Sequence, residues 1–352
     1  MSNSPLTSNG NIDIELPASV TGNNLIINGN FQVWQRGAGG NAAFAVPAST
    51  TMYTADRWQV MTNANQLTTV SQQIQAIPGF FTGVVTRNAG QTGAGIMRFC
   101  TSLTNDMCEG VAGNIVTISF QIAVGLGYSP AGGLITMTVY SGTGTDKSGI
   151  NGGFTGSSAA ISQTFVPPAG SFGAFSFSSA ALGSTVSQLA VEFSWAPTGT
   201  AGANDEINIK NIQLEISPKA TNFEYKSFNE QLIDCQYFYS KSFNYNVTPA
   251  QNTGILGSEE TWAGTNASTA SGVSNLIHFP RTMRTTPTIT LYNPAAANAQ
   301  ARNLIDSGGA DCSSTTASTG GNRGFYVTYN GSASGIIGNN TAINWTADNE
   351  LT

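Results

Sequence analysis

Apolar and polar residues alternate along several stretches of the chain. In VTISFQIAV, Val116, Ile118, Phe120, Ile122 and Val124 share one face, and Thr117, Ser119, Gln121 and Ala123 share the other. A period of two belongs to a strand with one face in a core. LITMTVY repeats it with Ile135, Met137 and Val139, and LAVEFSW with Leu189, Val191, Phe193 and Trp195. In INIKNIQLEI the phase slips between Ile209 and Ile212, and this spacing predicts a β-bulge near Asn211. Loops such as GYSPAGG and TGTAGAND separate the runs. Residues 22–226 are therefore expected to form a jelly-roll β-sandwich.

The stretch SFNEQLIDCQYFYSK breaks this pattern. Ser227 or Asn229 can cap a helix, Glu230 suits its first turn and Lys241 its last, so a linking helix is expected over 227–242. Strand-like runs resume in NLIHF, TITLY, GFYVTY and AINW, predicting a smaller C-terminal β-sandwich over 243–352. The Gly-, Ser-, Ala- and Asn-rich segments 141–160 and 293–321 lack a core pattern and are expected as exposed tips or, equally, as interface loops between protomers. Residues 1–21 carry one short apolar patch, IDIELP, and read as an attachment arm, with a frayed terminus as the equal alternative.

Composition sharpens the fold class. Only 9% of the 352 residues are charged and 40 are glycine, which suits an all-β chain better than amphipathic helices. The formal charge of −6, with no basic stripe, argues against nucleic acid as a ligand. No stretch is apolar for long enough to span a bilayer, and the start shows no secretory pattern, so membrane insertion is not expected and synthesis is placed in a cytoplasm. Cys100, Cys108, Cys235 and Cys312 lack metal-ligand spacing and are expected as buried thiols.

Candidate chemistry is sparse. Trp34 and Trp58, each near an arginine, could stack on sugar rings or be buried. The alternation around Trp34 and the strand start at ADRW favour burial, so Trp34, Arg36, Asp56, Arg57 and Trp58 are expected as a structural hub, with Asp56 paired to an arginine. His278 is the only histidine and no GxSxG surrounds a nucleophile. The acidic pairs Asp205/Glu206 and Glu259/Glu260 are adjacent and would point to opposite faces of a strand, unlike opposed glycosidase carboxylates. In SGTGTDKSG, Asp146 replaces the glycine that a phosphate loop needs before Lys147. A calcium site at Asp205, Glu206 or Glu215 lacks the converging oxygens such sites require. No catalytic residue, metal or cofactor is expected.

Taken together, several stretches resemble a family of bacteriophage tail-fibre or minor tail proteins. They are NLIINGNFQVWQRG (24–37), YTADRW (53–58), CEGVAGNIVTISFQI (108–122), IKNIQLEISPKATNFEYKSFNEQLIDCQYFYSKSF (209–243), FPRTMRTTPTITLY (279–292) and WTADNEL (345–351). The resemblance implies a jelly roll like that of carbohydrate-binding modules, a connecting helix and a distal β-domain. It further implies a homotrimer on a virion, docked through residues 1–21 to other tail or head proteins and adhering to host glycans or proteins. Trp34, Arg36, Asp56, Arg57, Trp58 and Glu224 fall at shared positions that look like scaffold. Lys210 departs from calcium-binding carbohydrate modules, which want an acidic pair there. Two alternatives share these features: a capsid decoration or head-fibre protein, and a glycan-degrading spike.

Overall fold

The computed structural model describes residues 24–37, 43–64, 66–74, 80–263, 271–304, 309–318, 320–332 and 340–352. The attachment arm expected at 1–21 lies outside the described residues. The fold is all-β with one α-helix among the described residues. Twelve strands build the first sandwich: β1 (Ala43–Val46), β2 (Thr51–Tyr53), β3 (Trp58–Met61), β4 (Thr68–Ile74), β5 (Phe81–Arg87), β6 (Met97–Ser102), β7 (Val116–Val124), β8 (Ile135–Gly142), β9 (Ser158–Phe165), β10 (Gly173–Ser178), β11 (Gln188–Trp195) and β12 (Glu206–Ile216).

One sheet runs β1-β4-β5-β12-β7-β10 and the other β2-β3-β6-β11-β8-β9, so the chain crosses repeatedly between layers. The alternating residues explain the stacking. Ile118, Phe120 and Ile122 from one sheet meet Met137, Val139, Val191 and Phe193 from the other in a single buried core. At one end, Trp58 stacks on Phe99 with ring centroids 4.8 Å apart and tilts against Phe31 at 5.1 Å. The bulge lies where the spacing places it: the register between β12 and β7 shifts between Lys210 and Gln213, and Asn211 takes a left-handed φ of 53°.

The helix α1 spans Phe228–Gln236, shorter than the 227–242 expected. Ser227 caps it, and Ser227 and Glu230 form a reciprocal capping box. Lys241 is not in its last turn. Residues Tyr239–Lys241 are a strand, β13, because they pair with the C-terminal strand instead of continuing the helix.

The remaining strands are β14 (Glu260–Ala263), β15 (Ser271–Val273), β16 (Ile277–His278), β17 (Thr288–Tyr292), β18 (Arg302–Asn303), β19 (Ala310–Asp311), β20 (Ser313–Ser318), β21 (Gly324–Asn330) and β22 (Asn340–Asp348). Strand β22 pairs with β13, β14, β17 and β18. Trp262, Phe279, Phe325 and Trp345 anchor a second core, separate from the first.

The segments expected as tips are corrected in part, since residues 155–159 and alternate residues of Ser313–Ser318 are exposed but other parts are packed or paired. Between β8 and β9 the chain folds back over the outer face of the second sheet, where Ile150 and Phe154 pack with Cys100 and Ala190. Ser148 donates to Gln59 at 2.6 Å, and the Gly149 amide donates to Ser102 at 2.8 Å. Small polar residues here serve close packing against a sheet, which composition does not distinguish from solvent exposure. In the later segment, β18, β19 and β20 are all paired in sheets.

Candidate functional site

The five residues expected as a hub converge at the junction of the two β-units. Trp34 and Trp58 are 1% and 0% exposed. The Trp34 indole donates to the Phe31 carbonyl at 2.7 Å, its amide donates to the Tyr245 hydroxyl at 2.7 Å, and the Trp58 indole donates to the Asn28 carbonyl at 3.2 Å. Neither indole has a face available for a sugar.

Asp56 does not hydrogen-bond an arginine, contrary to the expectation. Its two oxygens accept from the Gln35 amide at 2.6 Å and the Gln35 side chain at 2.7 Å. The arginines instead reach the far end of the chain. Arg36 bonds Asp348 at 3.1 Å and Glu350 at 3.3 Å, and Arg57 bonds Glu350. Arg36 lies 3.8 Å from the Tyr239 ring centroid and Arg57 lies 3.4 Å from that of Phe238. Burial opposes the charge on Arg36, but Asp348, Glu350 and Asp56 outweigh it and hold its pKa above the ordinary arginine value. Burial raises the pKa of Glu350 and of Asp56, against the pull of the neighbouring arginines.

A different surface offers open chemistry. On the outer face of the first sheet, Ser119 and Gln121 of β7 stand opposite Ser176 and Ala174 of β10. On the other side of β7, Gln121 stands opposite Lys210 of β12. The bulge shapes this face. Ile209 and Ile212 both point into the core, so the two residues between them, Lys210 and Asn211, both project outward.

The chain after β12 crosses the same face. Glu215 accepts from the Thr221 amide at 2.8 Å and its hydroxyl at 2.9 Å, pinning residues 220–223 as a wall. Phe223 and Tyr225 meet edge to face at 4.9 Å, Tyr225 meets Phe80 at 5.4 Å, and Asn211 donates to the Tyr225 hydroxyl at 3.1 Å.

This face carries two neighbouring recesses, together called the groove. One of about 340 Å³ is lined by Ser119, Gln121, Ser176, Asn211 and Phe223. The other, of about 300 Å³, is lined by Leu126, Phe172, Glu206 and Asn208. Lys210 sits between them, with its ammonium 4.0 Å from the Phe172 ring centroid, and partial burial lowers its pKa. The side chains of Gln121 and Lys210 make no hydrogen bond among the described residues. By alternation alone Ser119 and Gln121 are the polar side of a strand, and Lys210 is an argument against calcium. The outward pair that a bulge must create was the available signal for Lys210 and Asn211.

The acidic candidates are committed elsewhere. Asp205 is buried and paired with Arg87 at 3.1 Å, Glu206 accepts from Thr86 at 3.0 Å, and Glu215 holds Thr221. Among the described residues no group of three His, Cys, Asp or Glu side chains is placed to hold a metal. His278 is exposed on the short strand β16. All four cysteines are free and buried, and burial raises the thiol pKa of each. No helix among the described residues is long and apolar enough to cross a membrane.

No family model and no curated protein matches the sequence. Among solved structures, the chain is similar to the CBM22-1 xylan-binding domain from Paenibacillus barcinonensis, with 12% identity, covering 58% of this chain and 100% of that one at a TM-score of 0.31. It is similar to the enzymatically active domain of bacteriophage CBA120 tailspike protein 4, with 12% identity, covering 55% of this chain and 21% of that one at a TM-score of 0.31. It is also similar to a Stig cyclase from Fischerella sp. TAU, with 12% identity, covering 57% of this chain and 99% of that one at a TM-score of 0.36.

Proposed function

We propose that this chain is a structural subunit of a virion appendage, of the tail-fibre or minor tail type, that adheres to host surface glycans through the groove on its first sandwich. The observation that carries the reading is chemical. One outer sheet face with two neighbouring recesses brings together the Gln121 and Lys210 side chains, which have no hydrogen-bond partner among the described residues, and ring surface from Phe172 and Phe223. A pyranose has an apolar C–H face and a rim of hydroxyls, so it matches rings and hydrogen-bonding groups set side by side. The ordered anchors from Asn24 to Leu351 support the appendage setting.

In this reading residues 1–21 dock on the particle, residues 22–226 and 243–352 are two β-domains, and the chain acts as a homotrimer. Each groove is shallow and open. Three of them on one appendage would raise effective concentration at a surface without improving any single contact. Adhesion asks nothing of the chain's acids beyond the structural pairings they already make.

The test is binding of the purified full chain to polysaccharide from a susceptible host, compared with a Lys210→Ala/Tyr225→Ala double variant. The variant is expected to bind about tenfold or more weakly, the loss of ~1.4 kcal/mol or more, while melting as wild type does. Equal binding by the variant would overturn the groove as the adhesive site, and no binding by wild type would overturn the glycan reading.

A further inference from the structure

A second cleft, sharing no lining residue with the groove, lies where the two β-units meet. Its volume is about 460 Å³, within the range of small-molecule sites. One wall comes from the first sandwich, with Phe44 and Tyr53, and the other from the C-terminal unit, with Tyr239 and Tyr292. Arg36 and Asp348 complete the lining. Neither unit forms this cleft alone.

The polar groups inside are few and specific. Tyr239 is 6% exposed, yet its hydroxyl makes no hydrogen bond among the described residues. Burial raises its pKa, so the group stays a protonated donor. Arg36 lies over the Tyr239 ring and is held by Asp348, whose side chain is 47% exposed. Thr290 stands exposed on the rim. The lining therefore carries one cation and one anion already bonded to each other. A net-charged ligand finds no unmatched counter-charge in the lining, whereas a neutral one can use the carboxylate edge as acceptor and the tyrosine hydroxyl as donor.

We infer that this cleft is a second carbohydrate site, taking a neutral pyranoside between the tyrosines of the two units. The half-buried rings of Phe44, Tyr53 and Tyr292 supply apolar surface for the C–H side of the sugar, and Tyr239 and Asp348 supply a donor and an acceptor for its hydroxyls. The inference rests on the glycan reading for its ligand class but on separate residues for its site. It makes saccharide binding depend on the junction staying closed, because the two walls belong to different units.

The test begins with the full chain carrying Lys210→Ala and Tyr225→Ala, which removes the cation beside the groove and the ring that Asn211 holds at its wall. Methyl glycosides of glucose, galactose and N-acetylglucosamine are titrated and followed by saturation-transfer NMR. This background is expected to retain binding, and adding Thr290→Trp, which fills the cleft from its exposed rim, is expected to weaken it at least tenfold. Tyr292→Ala should act the same way by removing a wall. Binding that survives Thr290→Trp unchanged would overturn the junction site. A background that binds none of the three glycosides would overturn it too, and if wild type still binds them the groove reading stands. If wild type binds none of them either, the junction site falls, and the groove reading rests on the host-polysaccharide measurement.

Discussion

Arg57 and Glu350 lie 293 residues apart in the chain and meet as an ion pair with side chains 1% and 2% exposed. Arg57 also covers the Phe238 ring and donates to the Ser102 carbonyl, so one guanidinium ties the first sandwich, the segment after the helix and the C-terminal residues together. Removing one partner of a buried pair strands the other charge away from water, at roughly 3–5 kcal/mol. Glu350→Ala is therefore expected to lower unfolding stability by about that amount. A loss below about 1 kcal/mol in denaturant melts, the value for an exposed pair, would show that the junction does not carry this load.

Trp58 is fully buried against Phe31 and Phe99, so its deletion leaves a large hole that a packed core cannot close. Trp58→Ala should cost about 3–5 kcal/mol. The measurement is again a denaturant melt, and glycan binding by whatever fraction stays folded should match wild type. Weakened binding with normal stability would instead assign the indole to a ligand.

Lys241 gives a pH signature. Its ammonium donates to the carbonyls of Tyr245 and Val247, and burial lowers its pKa to about 8. An unfolded lysine titrates near about 10.4. Over the interval between those values the unfolded chain binds more protons, so this group's contribution to stability rises with pH. Its penalty is full below a pH of about 8 and has gone above about 10.4. The stability of wild type relative to Lys241→Met should therefore climb across that interval, by ~3 kcal/mol at most. A difference that does not change with pH would contradict the burial of a charged Lys241.

Assembly is tested by mass. Light scattering on the full chain should give three copies of the 36.6 kDa polypeptide, and deletion of residues 1–21 should still give three copies of the shortened chain if the arm serves only for docking. A monomer in both cases would remove the multivalent mechanism.

Much of the fold was legible in short stretches. The alternation in VTISFQIAV places Ile118, Phe120 and Ile122 in the core, the three-residue step from Ile209 to Ile212 places the bulge, and Ser227 with Glu230 starts the helix. The helix end was misjudged. Nothing local in Tyr239–Lys241 reveals the strand 100 residues later that captures it, with Ser240 opposite Ala347. The 143–157 fold-back escaped notice for the same reason, since its apolar residues pack on a sheet formed elsewhere.

The sequence by itself determined which residues alternate, where a strand must bulge and where a helix can begin, because these follow from the steric and hydrogen-bonding needs of neighbouring residues. Only the tertiary structure decided that Arg36 and Arg57 answer to Asp348 and Glu350, that residues 220–223 wall a groove beside Lys210, and that tyrosines from two units face one cleft. Those pairings are set by how whole sheets stack and dock. The free energy that selects them comes from burying surface shared between distant segments, which no local pattern records.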